Sequence, residues 1–442
     1  MKKRYILLIA TLVVILLGIF AVPVIFKDDI RALVDRKLDE NLTATVYFDE
    51  EEFDLSLLGN FPNLTLEIGN VGVVGQEEFA GDTLAHADFL AVELDLKSVI
   101  FGDQIQVRGI DLTKPRFLIK VLPNGKANYD IAADTGEEEA PADTTSNLSI
   151  GISSWTITDG ALVYEDQSLP FKVDLKGVQH KGSGDFTLDI FDMDTHTEAE
   201  KMTVSYDGVS YLSEVKLDGD VKLAMDLPQG KYTFKENDIH LNDFGLGFDG
   251  TILYPDENLD VDVTFGNKEN SFRSLLSLIP TVYAKDFGKL ETAGNLVFEG
   301  NAKGRYNETS MPGFLLSLSV ADGEFHYPEL PDRVHDVNAS VEIKAPESPD
   351  YEELSVDIPR FELYMGKNPI KGSMSLKGLS QYALKADVDA TVDLAEVSKI
   401  YPIEGLEMAG IFTLGLQADG PSGGANVAAR WLHKIGRLSY SH

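Results

Sequence analysis

Leu259-Asp-Val-Asp-Val-Thr-Phe265 alternates apolar and polar residues without interruption. Side chains of an extended chain point to opposite faces in turn, so the stretch reads as a strand with one apolar and one polar face. The same period of two recurs on both sides of it. It is found in Asn63-Leu-Thr-Leu-Glu-Ile68, Val92-Glu-Leu-Asp-Leu-Lys97, Ile105-Gln-Val-Arg108 and Phe117-Leu-Ile-Lys-Val121. It returns in Phe186-Thr-Leu-Asp-Ile190, Val221-Lys-Leu-Ala-Met-Asp-Leu227 and Val388-Asp-Ala-Thr-Val-Asp-Leu394. Gly, Asn, Asp and Pro separate the runs, as strand ends and turns require. The pattern predicts a mainly β protein built of antiparallel sheet.

Helical periodicity is scarce. Phe272, Leu275, Leu276 and Ile279 line one face of a short helix within 271–279, ended by Pro280. Leu394, Val397 and Tyr401 do the same within 394–401, before Pro402. Near the start, Ile30, Leu33, Val34 and Leu38 share one face of an amphipathic helix over Asp28–Leu38. That helix either lies on the outer surface of a membrane or caps the first sheet, and its spacing fits both.

The two later helices belong to an internal repeat. Leu290-Glu-Thr-Ala-Gly294 returns as Leu406-Glu-Met-Ala-Gly410, and each copy reaches a glycine ten residues on, Gly304 and Gly420. A second echo pairs Asp159-Gly-Ala-Leu-Val-Tyr164 with Asp322-Gly-Glu-Phe-His-Tyr327, each followed by Leu-Pro. Asp-Gly is turn chemistry, so two unrelated turns would also produce it. Repeated strand–helix–strand units imply an elongated sheet built by stacking.

Ahead of all this, Lys2, Lys3 and Arg4 precede an uncharged run from Tyr5 to Phe26. At about 1.5 Å per helical residue the run reaches roughly 33 Å, enough for a bilayer core of about 30 Å. It is longer than the apolar core of a cleaved signal peptide, so residues 1–27 read as a retained, single-pass anchor. The basic cluster places the N-terminus in the cytoplasm and the bulk of the chain across the membrane. The modules that follow are residues 28–133, an acidic linker loop at 134–148, residues 149–304, residues 305–420, and an atypical tail, 421–442. The tail carries no acidic residue and loses the alternation, which reads as a truncated or frame-shifted end.

The 442 residues carry a formal net charge of −34, which disfavours nucleic acid and anionic surfaces as electrostatic partners. There is no cysteine, so neither disulfides nor thiol chemistry enter. Gly245-Leu-Gly-Phe-Asp-Gly250 matches a dinucleotide-binding spacing but leads into a strand, Thr251-Ile-Leu-Tyr254, where phosphate binding needs a helix N-terminus. The acid pairs Asp192/Asp194, Asp260/Asp262 and Asp387/Asp389 sit two apart on strands, as on a solvated face. His326 and His335 are the closest histidines and no catalytic motif accompanies them. Trp155 and Tyr164 read as strand core or rim. The sequence gives no catalytic residue, metal ligand or cofactor, and a non-enzymatic role is expected.

What covers the apolar sheet face is the decisive question, because exposing it along many strands would cost roughly 25 cal/mol per Å². The sheet packs on another sheet, closes on itself, or curves into a groove around something apolar. Periodicity does not choose among the three.

The order of motifs in the first third resembles a known family. An anchor leads into Phe53-Asp-Leu-Ser-Leu-Leu-Gly-Asn-Phe-Pro62, Leu64-Thr-Leu-Glu-Ile68 and Val71-Gly-Val-Val74. Phe79-Ala-Gly-Asp-Thr-Leu84, Val92-Glu-Leu-Asp-Leu-Lys-Ser-Val-Ile100 and Ile105-Gln-Val-Arg-Gly-Ile110 follow, and Lys114-Pro-Arg-Phe117 with Asn124-Gly-Lys-Ala-Asn-Tyr-Asp-Ile131 closes the block. The arrangement resembles the AsmA family of Gram-negative envelope proteins, closely over residues 1–131 and more loosely to Gly420. The resemblance implies a periplasmic protein of outer-membrane biogenesis, held in the inner membrane, whose repeating β-groove carries phospholipid. On that reading the groove is lined by Leu64, Leu66, Ile68, Val92, Leu94, Leu96, Val221, Leu223, Met225, Val261, Val263 and Phe265. The rival reading is an assembly factor or scaffold whose closed modules bind envelope proteins.

Overall fold

The computed structural model describes residues 23–36, 38, 42–57, 60–102, 105–131, 148–254, 258–279, 290–307, 309–326, 332–400, 406–421, 426–434 and 438–440. The expected membrane span, Tyr5–Phe26, lies outside these residues except for its last four, and so does the acidic stretch 134–147. Among the described residues no helix is long and apolar enough to cross a membrane. The chain divides into two compact units, Met1–Asp220 and Val221–His442.

The N-terminal unit begins with helix α1, residues 23–36. Strands β1 (Thr45–Ser56), β2 (Asn63–Val74), β3 (Thr83–Asp95) and β4 (Ile105–Thr113) pair antiparallel in sequence order. Strand β5 (Arg116–Val121) follows β4 after Lys114-Pro115, and both pair with the long β6 (Leu148–Asp166) in parallel. This departs from the antiparallel expectation. Parallel neighbours need a connection of about a dozen residues or more, and residues 122–147 supply it, so the acidic stretch joins strands of one unit. Strands β7 (Phe171–Ser183) and β8 (Ile190–Tyr206) continue antiparallel, and β9 (Val209–Asp226) contains the division between the units.

Two local readings change. Leu96 was expected on a strand but opens helix α2 (Leu96–Phe101), because the Asp95 carboxylate accepts from the Ser98 backbone N–H at 2.8 Å and caps the turn. Phe186–Asp189 form no strand but the β7–β8 connection, where Asp185 accepts from the Thr187 N–H at 3.1 Å.

The C-terminal unit is an antiparallel meander. Strands β10 (Lys231–Leu241), β11 (Phe244–Leu253), β12 (Leu259–Asn267), β13 (Glu291–Tyr306) and β14 (Gly313–His326) pair in order, with helix α3 (Phe272–Leu276) between β12 and β13. The meander continues through β15 (Val334–Ala345), β16 (Ser355–Met365), β17 (Asn368–Lys377) and β18 (Ala383–Asp393). Helix α4 (Leu394–Ile400) and the short β19 (Leu406–Met408) precede β20 (Ile411–Pro421), which pairs with β18. Within the tail, β21 (Asn426–Lys434) pairs with β20, and β22 (Leu438–Tyr440) with β19. Backbone pairing with β20 forms a strand there despite the weak side-chain pattern.

Both echoes in the sequence have a backbone counterpart. Gly294, Gly304, Gly410 and Gly420 all hold positive φ, at 108°, 137°, 122° and 145°. In each copy a helix separates two antiparallel neighbours, with Val261 opposite Gly304 and Leu384 opposite Gly420. Asp159-Gly160 and Asp322-Gly323 are not hairpin turns. They are bulges inside β6 and β14, with φ of 55° and 52° at the aspartates and a register shift at each. Gly160 faces Val178 across the ladder and Gly323 faces Val337.

A candidate apolar binding face

Directly opposed residues in a ladder share a face, so register traces the apolar surface of each unit. In the N-terminal unit Leu64 stands opposite Leu94, and Leu66 opposite Val92. Val92 stands opposite Ile110 and Leu90 opposite Leu112. Ile110 then faces Trp155 and Leu112 faces Ile157, and the next partners are Gly182 and His180. One apolar face therefore runs from β2 to β6 and meets Gly182 and His180 on β7.

Its first part is covered. Ile30 of α1 is 3% exposed and packs with Phe53, Leu55, Leu57, Leu64, Leu66, Ile68, Leu94 and Val107, while Phe26 and Val34 close over the same cluster. Of the two sequence readings of the amphipathic helix, capping of the first sheet is what these contacts describe. Arg31 to Glu50 at 2.8 Å and Lys27 to Asp54 at 3.4 Å tie the helix to β1 at the surface.

Beyond the helix the same face opens into a trough of about 240 Å³, lined by Ile110, Leu112, Ile152, Trp155, Thr156, Ile157 and Phe186. Its lining presents only apolar surface. Ile110 and Ile152 also pack against the cluster under α1, so the trough begins where the covered core ends.

Trp155 forms one wall and is held on three sides. Its indole N–H donates to His180 Nε2 at 2.8 Å, and the rings stack with centroids 6.3 Å apart. Because the indole only donates, His180 Nε2 must accept and Nδ1 carries the proton, which it donates to Thr197 Oγ1 at 2.8 Å. Burial, and secondarily the nearby His196, holds the His180 pKa below the usual imidazole value, consistent with this neutral form. Phe186 meets Trp155 edge-on at 5.7 Å and packs on Phe191 at 4.8 Å. Gly182 lies directly beneath the indole, where any Cβ would overlap the ring.

In the C-terminal unit the apolar face is longer. Phe265, Gly300, Leu316, Ile343, Val356, Leu376 and Leu384 stand opposite one another in succession. The other face is polar: Asp260 and Asp262 take Arg305 and Lys303 at 2.7 and 2.6 Å, and Asp387 and Asp389 are exposed. Helix α3 covers one part, burying Phe272 and Leu276 with Phe244, Leu290, Leu296 and Val320. Further along, Ile343, Val356, Leu376, Leu384, Val388 and Leu416 are only half-buried.

The expected lining residues divide accordingly. Leu64, Leu66, Ile68 and Leu94 are fully buried in the core beneath α1, with Val92 and Leu96 packed against it. Val221, Leu223, Met225, Val261, Val263 and Phe265 are half-buried strand positions of the C-terminal unit. Phe265 packs on Phe298 at 5.8 Å. The trough residues Trp155 and Phe186 were not among those expected. In the sequence Trp155 reads only as strand core or rim, and nothing there marks Gly182 as its seat.

The remaining polar candidates have local roles. His326 faces Glu291 at 3.4 Å, and His335 contacts Asp336 and the Gly366 carbonyl, both at 2.9 Å. His196, Glu198 and Asp218 lie close enough to share a cation. However, His196 uses Nε2 on Glu198 at 3.2 Å and Nδ1 on Asp220 at 2.9 Å, and these bonds raise its pKa. Both ring nitrogens are thus engaged by carboxylates, and a cation would have to displace one of them. Gly245–Gly250 lies inside β11.

The chain matches no family model, no curated protein and no solved structure.

Proposed function

We infer that the protein handles lipid, holding acyl chains against its apolar sheet face without making or breaking a bond. The observation that carries this reading is the face that is apolar in register across many strands, long parts of which are half-buried rather than enclosed. At roughly 25 cal/mol per Å², an apolar occupant would gain substantially by lying there. The trough beside Trp155 offers the same chemistry on a smaller scale. The order of sequence motifs supports an AsmA-like protein of outer-membrane biogenesis. It would be anchored in the inner membrane through residues 5–26, with its bulk in the periplasm and phospholipid as its cargo.

Native mass spectrometry of the purified protein tests the reading. Phospholipid adducts are expected, and crosslinking in envelope membranes is expected to yield lipid adducts. Protein partners without lipid adducts, together with a lipid-free mass, would favour the scaffold reading instead.

A further inference from the structure

We propose that Trp155 is the specificity-determining wall of the N-terminal trough, and that it admits one unbranched acyl chain at a time. The proposal rests on the lipid reading and names what the site selects. Three observations converge on it. The trough, at about 240 Å³, is smaller than the roughly 300–1,000 Å³ of pockets that enclose whole drug-sized ligands, so it fits part of one chain. Its lining is wholly apolar and the chain carries a net charge of −34, so an uncharged hydrocarbon is the complementary occupant and an anionic group is not. Its wall is fixed rather than adaptable. The indole is bonded to His180, braced edge-on by Phe186 and seated on Gly182.

At this level of the sheet the apolar run also ends at this wall, whereas nearer the other end of β7 it continues through Leu175 and Val173 to Met202 and Val204. Past Trp155 and Ile157 the next residues in register are Gly182 and His180, and then Thr195 and Thr197. A chain advancing from β4 therefore meets the indole and then polar groups. Methyl branches need width that a fixed ring does not yield. His180 and Gly182 are positioning residues, acting through the indole rather than on the ligand.

The chain has two tryptophans, Trp155 and Trp431, so a Trp431→Phe background isolates the wall as a fluorophore. Dibromostearate is the quenching probe, with stearate and the multiply branched phytanate as competitors. The proposal expects quenching of Trp155, and displacement by stearate at about tenfold lower concentration than by phytanate, the scale of one methylene in a closed apolar pocket. Phe186→Ala keeps the fluorophore and removes its brace, and is expected to bring the two competitors within about twofold. Gly182→Ala is expected to push the ring into the trough and abolish quenching. His180→Ala, which removes the acceptor of the indole N–H, is expected to lower the stearate-over-phytanate selectivity in a folded protein, and His180→Gln, which keeps an acceptor, is expected to restore it.

Lipid adducts in native mass spectra without quenching of Trp155 would overturn this proposal and leave the lipid reading standing. Equal competition by the two acids in the Trp431→Phe protein, or unchanged selectivity in a folded Phe186→Ala protein, would overturn it in the same way. Absence of both adducts and quenching would remove the two together. If Phe186→Ala does not fold, the Trp155→Phe protein decides by mass-spectrometric competition: retained tenfold selectivity overturns the proposal, and its loss supports it.

Discussion

Beneath α1 and along β14–β20 the same alternating pattern produces two different surfaces. On β2 the apolar phase, Leu64, Leu66 and Ile68, is at most 5% exposed, because Ile30, Phe26 and Val34 lie across it. On β18 the apolar phase, Leu384, Ala386 and Val388, is half-buried between exposed Lys385, Asp387 and Asp389. The strands are alike, and the difference is how far a helix covers them: α1 encloses the β2 face, whereas α4 touches β18 and β16 and leaves these positions half-buried. An alternating strand thus specifies which face is apolar, but a residue far away in sequence decides whether that face is a core or a surface.

The sharpest way to break this comparison is to truncate both faces. Leu64→Ala is expected to cost about 3–5 kcal/mol, since a fully enclosed site leaves a cavity that its neighbours cannot fill. Val388→Ala is expected to cost about 1 kcal/mol or less, because part of its surface already meets solvent. Denaturant midpoints, read separately for each unit by hydrogen exchange, measure both. Equal costs would mean that the C-terminal face is closed by packing that its half-burial does not reflect.

Helix α3 supplies an internal control, because it covers only part of the open unit. Phe272→Ala is expected to cost about 3 kcal/mol and to speed exchange in β11 and β13, which border its cluster. Strands β17 and β18, away from that cluster, are expected to exchange at their original rates. A uniform loss of protection would show that the meander unfolds as one body, and the distinction between covered and open segments would lose its energetic meaning.

The paired bulges test whether the two units share a device beneath their different covers. A Cβ on Gly323 would lie 2.9 Å from Val320 Cγ1 and from Val337 Cβ, and one on Gly160 would lie 2.7 Å from Ile157 Cγ2. Both alanine variants are expected to lose about 1–3 kcal/mol through overpacking. Similar losses in thermal melts would support equivalent roles. A neutral Gly160→Ala would mean that Ile157, the tightest neighbour of that point, yields where Val320 and Val337 do not.

Much of this was legible because it depends on local period. The strands containing Asn63–Ile68, Leu259–Phe265 and Val388–Asp393 and helices α3 and α4 follow from spacing alone, and the repeat glycines prove to share positive φ. What was not legible depends on partners distant in sequence. Asp159-Gly160 reads as a turn until β7 is beside it, and Phe186 reads as a strand until Asp185 bends the chain. Trp155 reads as ordinary core until Gly182 is beneath it. The parallel β4–β6 and β5–β6 pairings carry no signal in period two, which is the same for either direction.

The smallest expected effect separates the two faces within one pair of strands. His180, on the apolar side against Trp155, has its pKa lowered first by burial and then by His196. The unfolded chain takes up this proton near pH 6.5 while the folded chain resists it, so the contribution is full above about 6.5 and falls away as pH drops through that value. His196 bonds Glu198 and Asp220, and those bonds raise its pKa. Its contribution is full below about 6.5 and is lost as pH rises through the folded value. Imidazole titration by NMR is therefore expected to move the two resonances in opposite directions from the ordinary midpoint. His180→Gln is expected to weaken the acid-side fall in stability, and His196→Gln the alkaline-side fall. A His180 that titrates at the ordinary value would mean that water reaches the Trp155 wall. The trough would then be a wet crevice rather than a continuation of the covered core.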